Sequence, residues 1–155
     1  MIATAATLAA VLAAAGQPQH FILSGKTVHG KGYPIHITAT GPIAGTGLGV
    51  GVHLKNGSDR TTLRLSKGTV VIASHQTAFS AKPNYHTCTA AILERGVFTI
   101  VGGTGTYASV VGAGTYVRRS HLVGARSASG ACLGRKAQPA AVYDRVTLTG
   151  TASVH

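Results

Sequence analysis

The sequence predicts an all-β domain in which about eight antiparallel strands close into a barrel. Three observations carry this. Short runs of alternating apolar and polar residues recur along the chain, parted by Gly, Pro or Asn at fairly regular intervals. Thr, Val, Ala and Gly dominate a composition that is 45% apolar and 5% aromatic, a mixture that favours strands. After the first fifteen residues nothing repeats with a helical period. Eight strands suit a small barrel that holds one small ligand, and closure removes exposed edges.

The elements follow in order. Ile2–Ala15 is an apolar, Ala-rich block of h-region length, too short to span a bilayer comfortably. Ala13-Ala14-Ala15 fits small-residue cleavage, and the polar "GQPQH" follows. Residues 1–16 therefore read as a signal peptide, although no Lys or Arg precedes the block; the alternative is an Ala-rich surface helix. Residues 17–155 form a single β-barrel domain of a secreted protein. "HFILSGKTVHG" starts the strands. "YPIHITAT" and "LGVGVHLK" alternate, the first setting Ile35 and Ile37 against His36, the second Leu48, Val50 and Val52 against Gly49, Gly51 and His53. Asn56–Asp59 is a hairpin turn, since Asn-Gly tolerates positive φ; this explains its "NGS" without glycosylation. "TTLRLS" and "GTVVIASHQTAF" continue the pattern, and "SAKPNYH" is a loop. "TCTAAILERGVFTIVGG" is one strand or two, depending on whether Gly96 is a bulge. "AGTYVRRSHLV" is a strand, Gly124–Pro139 a polar loop, and "AAVYDRVTLTGTASVH" the closing strand.

Fourteen Lys and Arg face three acids, for a net charge of +11. Such a surface attracts anionic polymers. The bases are dispersed, with Arg118-Arg119 and Arg135-Lys136 the densest clusters, which favours anionic cell-surface polymers over specific nucleic-acid recognition. In an exported chain, Cys88 and Cys132 read as one disulfide closing a long loop, worth roughly 3–4 kcal/mol. A catalytic thiol is the alternative, without a local partner to support it. The eight histidines are scattered, with no HxH or HxxxH pair, and neither a metal nor another cofactor is expected.

The stretch "FTIVGGTGTYASVVGAGTY", Phe98 to Tyr116, resembles a phosphate-binding loop only in its glycines. No Lys-Ser/Thr follows Gly105, and no helix follows to direct its N-terminus at a phosphate. It reads as a turn between strands, with Tyr107 folding back over it. This stretch, with "AAVYDRVTLTGTASVH", resembles the C-terminal half of the dirigent and allene oxide cyclase families: an apolar strand, a Gly-Gly-Thr-Gly turn, an aromatic, a small-residue turn and a final strand. It also resembles small secreted bacterial proteins with this barrel, in which "ATGPIAGTG" and "TCTA" are typical. The match covers Thr87–Tyr116 well and the first half weakly. The resemblance implies an eight-stranded calycin-like barrel, often trimeric in plant members, among which are cyclases and proteins that steer radical coupling. The plant catalytic residues do not carry over.

The chemistry-bearing candidates are few. Asp144 shares parity with Val142, Val146 and Leu148, so an apolar inner face carries a carboxylate inward. A buried carboxylate is partnered or functional. Glu94 shares parity with Cys88, Ala90 and Ile92. Arg118, Arg119 and His121 lie on one strand, so a base can reach the interior and meet an acid; Arg119 stands with Asp144 and Glu94 as a catalytic candidate. Tyr107 and Tyr116 are candidate ligand contacts, and Asp59 is turn chemistry. Three readings compete: a barrel binding a small apolar ligand, a cofactor-independent cyclase or isomerase, and a cationic protein binding anionic surface polymers. A homo-oligomer is compatible with each.

Overall fold

The computed structural model describes residues 16–54 and 58–155. The expected leader therefore lies, apart from Gly16, outside the described residues, as do Asn56 and Gly57 of the expected hairpin turn. The chain is all-β. Its strands are β1 (Gln17–Val28), β2 (Lys31–Gly32), β3 (Ile35–Thr40), β4 (Gly45–His53), β5 (Ser58–Leu65), β6 (Gly68–Asn84), β7 (Thr89–Gly103), β8 (Val111–Val123) and β9 (Ala141–Ser153). Every pairing is antiparallel, in the order β1-β3-β4-β5-β6-β7-β8-β9, and β1 pairs again with β9 along its whole length. That last ladder closes an eight-stranded barrel. The two-residue β2 is an appendage on β1.

Directly paired residues share a face, so the registers sort every strand into an inner and an outer row. Phe21, Leu23, Ile37, Leu63, Val70, Ile72, Phe98, Ile100 and Leu148 fill the inside, with Phe21 and Phe98 meeting edge to face at 6.4 Å. One end is sealed by Ile43, Tyr107, Val110 and Gln19, all buried. The Gln19 side chain closes this end with polar bonds: its Nε2 donates to the carbonyls of Thr40 and Ile43, each at 2.9 Å, and its Oε1 accepts from Ile43 N–H. The glycine stretch belongs to the same end. Gly105 takes φ +61° in a single 3-10 turn, Gly105–Tyr107, and the Thr104 hydroxyl bonds the backbone N–H and hydroxyl of Thr69. Tyr107 folds back beneath the barrel and donates to Ala44 O.

The registers decide two points that the sequence left open, the inner face of β4 and the role of Gly96, and they correct the loop expected at Ser80–His86. On β4 the glycines face inward and Leu48, Val50 and Val52 face solvent, about half exposed. Neighbouring Ile37 and Leu63 already fill the space that inward valines would need, and a Cβ at Gly49 would press on Ile37. His53, on the glycine face, therefore lies in the inner row, opposite Asp59. Residues 80–84 are strand, not loop. Beyond His75 no described residue of β5 pairs with β6, so among the described residues Pro83 loses no ladder bond on that side. Gly96 is not itself the bulged residue: β7 is one strand, and the register shifts leave out Val101 of β7, between Val71↔Gly102 and Ile72↔Ile100, and Thr77 of β6, between Gln76↔Gly96 and Ala78↔Arg95.

The loop between β8 and β9 is fastened by Cys88 and Cys132, whose Cα atoms lie 5.5 Å apart in a disulfide.

Candidate functional site

The end opposite Tyr107 is open and leads into a cavity of about 990 Å³. Its floor is apolar, formed by Leu23, Ile72, Val146 and Leu148. Its volume follows from sequence: Gly47, Gly49 and Gly51 present no side chains from β4, and Gly25 presents none from β1. The wall also has a lateral slot. Pairing of β3 with β4 stops at Ile35↔Gly49, while β4 continues to His53, so Tyr33-Pro34 faces Val50–Val52 across an unpaired gap.

Above the floor sits a polar layer, drawn from three adjacent strands. Register places Glu94 of β7 beside Arg118 of β8, and Ser120 of β8 beside Asp144 of β9. The Arg118 guanidinium donates from Nε to Asp144 Oδ1 at 2.9 Å, and its Nη1 lies 3.6 Å from Glu94 Oε2. The Tyr116 hydroxyl donates to Glu94 Oε1 at 2.5 Å, and the Ser120 hydroxyl donates to Asp144 Oδ1. Gly96 makes this possible. It is paired with Tyr116, and any Cβ there would overlap the tyrosine ring, so the ring lies flat over the glycine and carries its hydroxyl to Glu94. Farther toward the rim, His53 Nδ1 and Asp59 Oδ1 approach to 2.5 Å.

The electrostatics follow from enclosure. Burial pushes the Tyr116 phenol up, and the hydrogen bond and negative charge of Glu94 push it further. Burial opposes the charge on Arg118, but the Asp144 hydrogen bond and the charges of Asp144 and Glu94 outweigh it, so the guanidinium is raised. Asp59 acts in the same direction on both groups from across the barrel.

All three acids of the chain line this one cavity. Asp144 lies inward, as its parity with Val146 and Leu148 suggested; Glu94, whose face the sequence left open, lies inward as well, and a base joins the two. That base is Arg118, whereas Arg119 points outward and is exposed. The inner row of β8 is Gly112, Gly114, Tyr116, Arg118, Ser120, and once Tyr116 is taken as inward the alternation alone selects Arg118 over Arg119. Tyr116 lines the cavity, but Tyr107 is core at the sealed end and away from it. Ser120 was not anticipated; its parity with Tyr116 is the signal that finds it. Asp59, expected as turn chemistry, is the second residue of β5 and faces the cavity. Among the described residues no group of three His, Cys, Asp or Glu could hold a metal ion. Compared with protein families, curated proteins and solved structures, the chain matches none.

Proposed function

We propose that this chain is an exported barrel, of the dirigent and allene oxide cyclase-like type, that binds a small ligand in its cavity. The ligand has an apolar body for the floor and a polar group for the Glu94–Tyr116–Arg118–Asp144 layer. The observation that carries this is the cavity itself: about 990 Å³, open at one end, apolar below and polar above. With two carboxylates beside one guanidinium, the layer has a surplus of negative charge, so it favours a donor or a cationic group over an anion. The Cys88–Cys132 bridge fits an oxidising compartment and so supports export.

The test uses the neutral apolar dye N-phenyl-1-naphthylamine as probe. Its fluorescence is expected to rise on binding the wild-type barrel. Gly51→Phe is the blocking variant. A Cβ there meets only ordinary contacts with Thr61 and Ile35, and a ring would project into the cavity. If Gly51→Phe binds the dye as wild type does, the cavity is not the site.

A second reading is a cofactor-independent cyclase or isomerase. The hydrogen bond from Tyr116 to Glu94 beside Arg118 favours it, because a preorganised polar layer over an apolar floor can hold a folded substrate and stabilise developing charge. Asp144→Asn tests it: turnover of a substrate that the variant leaves untouched removes Asp144 from any catalytic role.

A further inference from the structure

With every acid turned toward the cavity, the outer wall of the barrel has no carboxylate to neutralise its bases. One part of it holds two bases in directly opposed positions. Arg119 of β8 and Arg145 of β9 are directly paired, both outward and both exposed. Like charges in directly opposed positions repel. The same transverse row continues through Ser24 to His36, since Arg145 pairs with Ser24 and Ser24 with His36. The next row toward the open end runs His121–Tyr143–Lys26. Arg95, outward on β7, lies diagonal to Arg119.

These rows border a groove of about 420 Å³ on the outer wall, beside the lateral slot. Ser24 and Gly25 form its floor, Tyr33 and Tyr143 its aromatic walls, and Lys26 and His36 its basic edges. Both tyrosines are close to half exposed, at 41% and 49%. Lys26 Nζ sits 4.7 Å from the centre of the Tyr33 ring, which holds that ring in place.

We propose that this groove and the Arg119–Arg145 pair bind an acidic polysaccharide. Flat tyrosine faces flanking a groove the size of one or two sugar rings suit the apolar face of a pyranose. The paired guanidiniums suit carboxylates spaced along the same chain. A bilayer would require an apolar surface at the groove, whereas this one is edged by Lys26 and His36 with Arg145 beside Ser24. This assignment rests on the proposed export, which the disulfide supports and under which the chain would meet extracellular polymers such as acidic glycans. The Arg119–Arg145 pair does not line the cavity, whereas Gly25, Lys26, Tyr33 and Pro34 of the groove also border it at the lateral slot, so the charge variant tests the outer wall alone.

The probe is polygalacturonate, with its fully methyl-esterified form as the uncharged counterpart. Binding is measured at two salt concentrations on the intact, oxidised chain. Wild type is expected to bind the acid form and not the ester, and to weaken as salt rises. Arg119→Gln/Arg145→Gln is expected to lose at least about tenfold in affinity and to flatten the salt dependence. Because it removes a repulsive pair, this variant is expected to melt no lower than wild type. Tyr143→Ala is expected to weaken binding several-fold with the salt dependence unchanged, which separates stacking from charge. Arg60→Gln/Lys67→Gln, exposed on the other side of the barrel, is the charge-matched control. The proposal is overturned if the Arg119/Arg145 variant loses no more than this control, or if the ester binds as well as the acid. It is equally overturned if single-stranded DNA or phosphatidylserine vesicles bind more tightly than polygalacturonate at equal salt.

Discussion

Removing one oxygen from the cavity measures how much its polar layer contributes. Tyr116→Phe keeps the ring that covers Gly96 and deletes only the hydroxyl that donates to Glu94 at 2.5 Å. Hydrogen bonds to a charged acceptor contribute about 1.5–3 kcal/mol. Glu94 is largely buried and its other partner, Arg118 Nη1, is 3.6 Å away, so little compensates for the lost donor. A loss of about 2 kcal/mol is expected, which for a chain of this size lowers Tm by roughly 4–8 °C. The chain lacks Trp, so far-ultraviolet circular dichroism follows the melt. Glu94→Gln and the double variant complete a cycle, with a coupling energy of about 1–2 kcal/mol expected. The pH dependence has a definite sign. The Tyr116 phenol holds its proton more tightly folded than unfolded, because of burial and then Glu94. The stabilisation is thus full below the ordinary tyrosine value near 10 and is lost as pH rises beyond it. Wild type and Tyr116→Phe should therefore converge in stability at strongly alkaline pH. A Tm within a degree of wild type at neutral pH, with zero coupling to Glu94, would refute the arrangement.

Three further outcomes are expected. Gly96→Ala should destabilise by about 3 kcal/mol or more, because its methyl overlaps both the Tyr116 ring and the carbonyl of His75; urea denaturation reads it. Gln19→Leu should cost about 3 kcal/mol, since it leaves the N–H and carbonyl of Ile43 buried and unpaired at the sealed end; a drop in Tm with unchanged dye binding would place the effect there. Replacing Cys88 and Cys132 by Ala should cost about 4 kcal/mol by the loop-entropy relation for a separation of 44 residues, seen as a lower urea midpoint under oxidising conditions and as no difference once wild type is reduced.

The barrel was legible because alternation, turn residues and the absence of helical period all agree along this chain. The parity argument at β9 correctly sent Asp144 inward, since Val146 and Leu148 fix that face without ambiguity. At β4 parity alone does not choose the inner face. When one face is all glycine, the apolar face is the natural choice for the core, but here the volume beside β4 is already taken by Ile37 and Leu63. That information lies on strands distant in sequence. Arg118 and Arg119 are adjacent, so composition cannot rank them; only the register of Tyr116 against Gly96 decides which one reaches Glu94. Likewise, nothing in the local sequence of Tyr107 says that its turn lies under the sealed end and not at the open mouth.

The distribution of charge links the two proposals. A chain with fourteen bases and three acids would lower its self-repulsion most by placing those acids on the surface, among the bases. This one turns all three toward the cavity, where Glu94 and Asp144 require Arg118, Tyr116 and Ser120 as partners. Enclosing carboxylates costs free energy, and leaving Arg119 beside Arg145 without a counter-charge costs more. Folding alone favours neither choice, since apolar residues would fill the polar layer and a single Glu at position 145 would relieve the outer row. An arrangement that is unfavourable on both faces of one wall is what binding sites require: groups held apart from their best internal partners and available to a ligand. The inner face then calls for a donor or a cation, and the outer face calls for an anion.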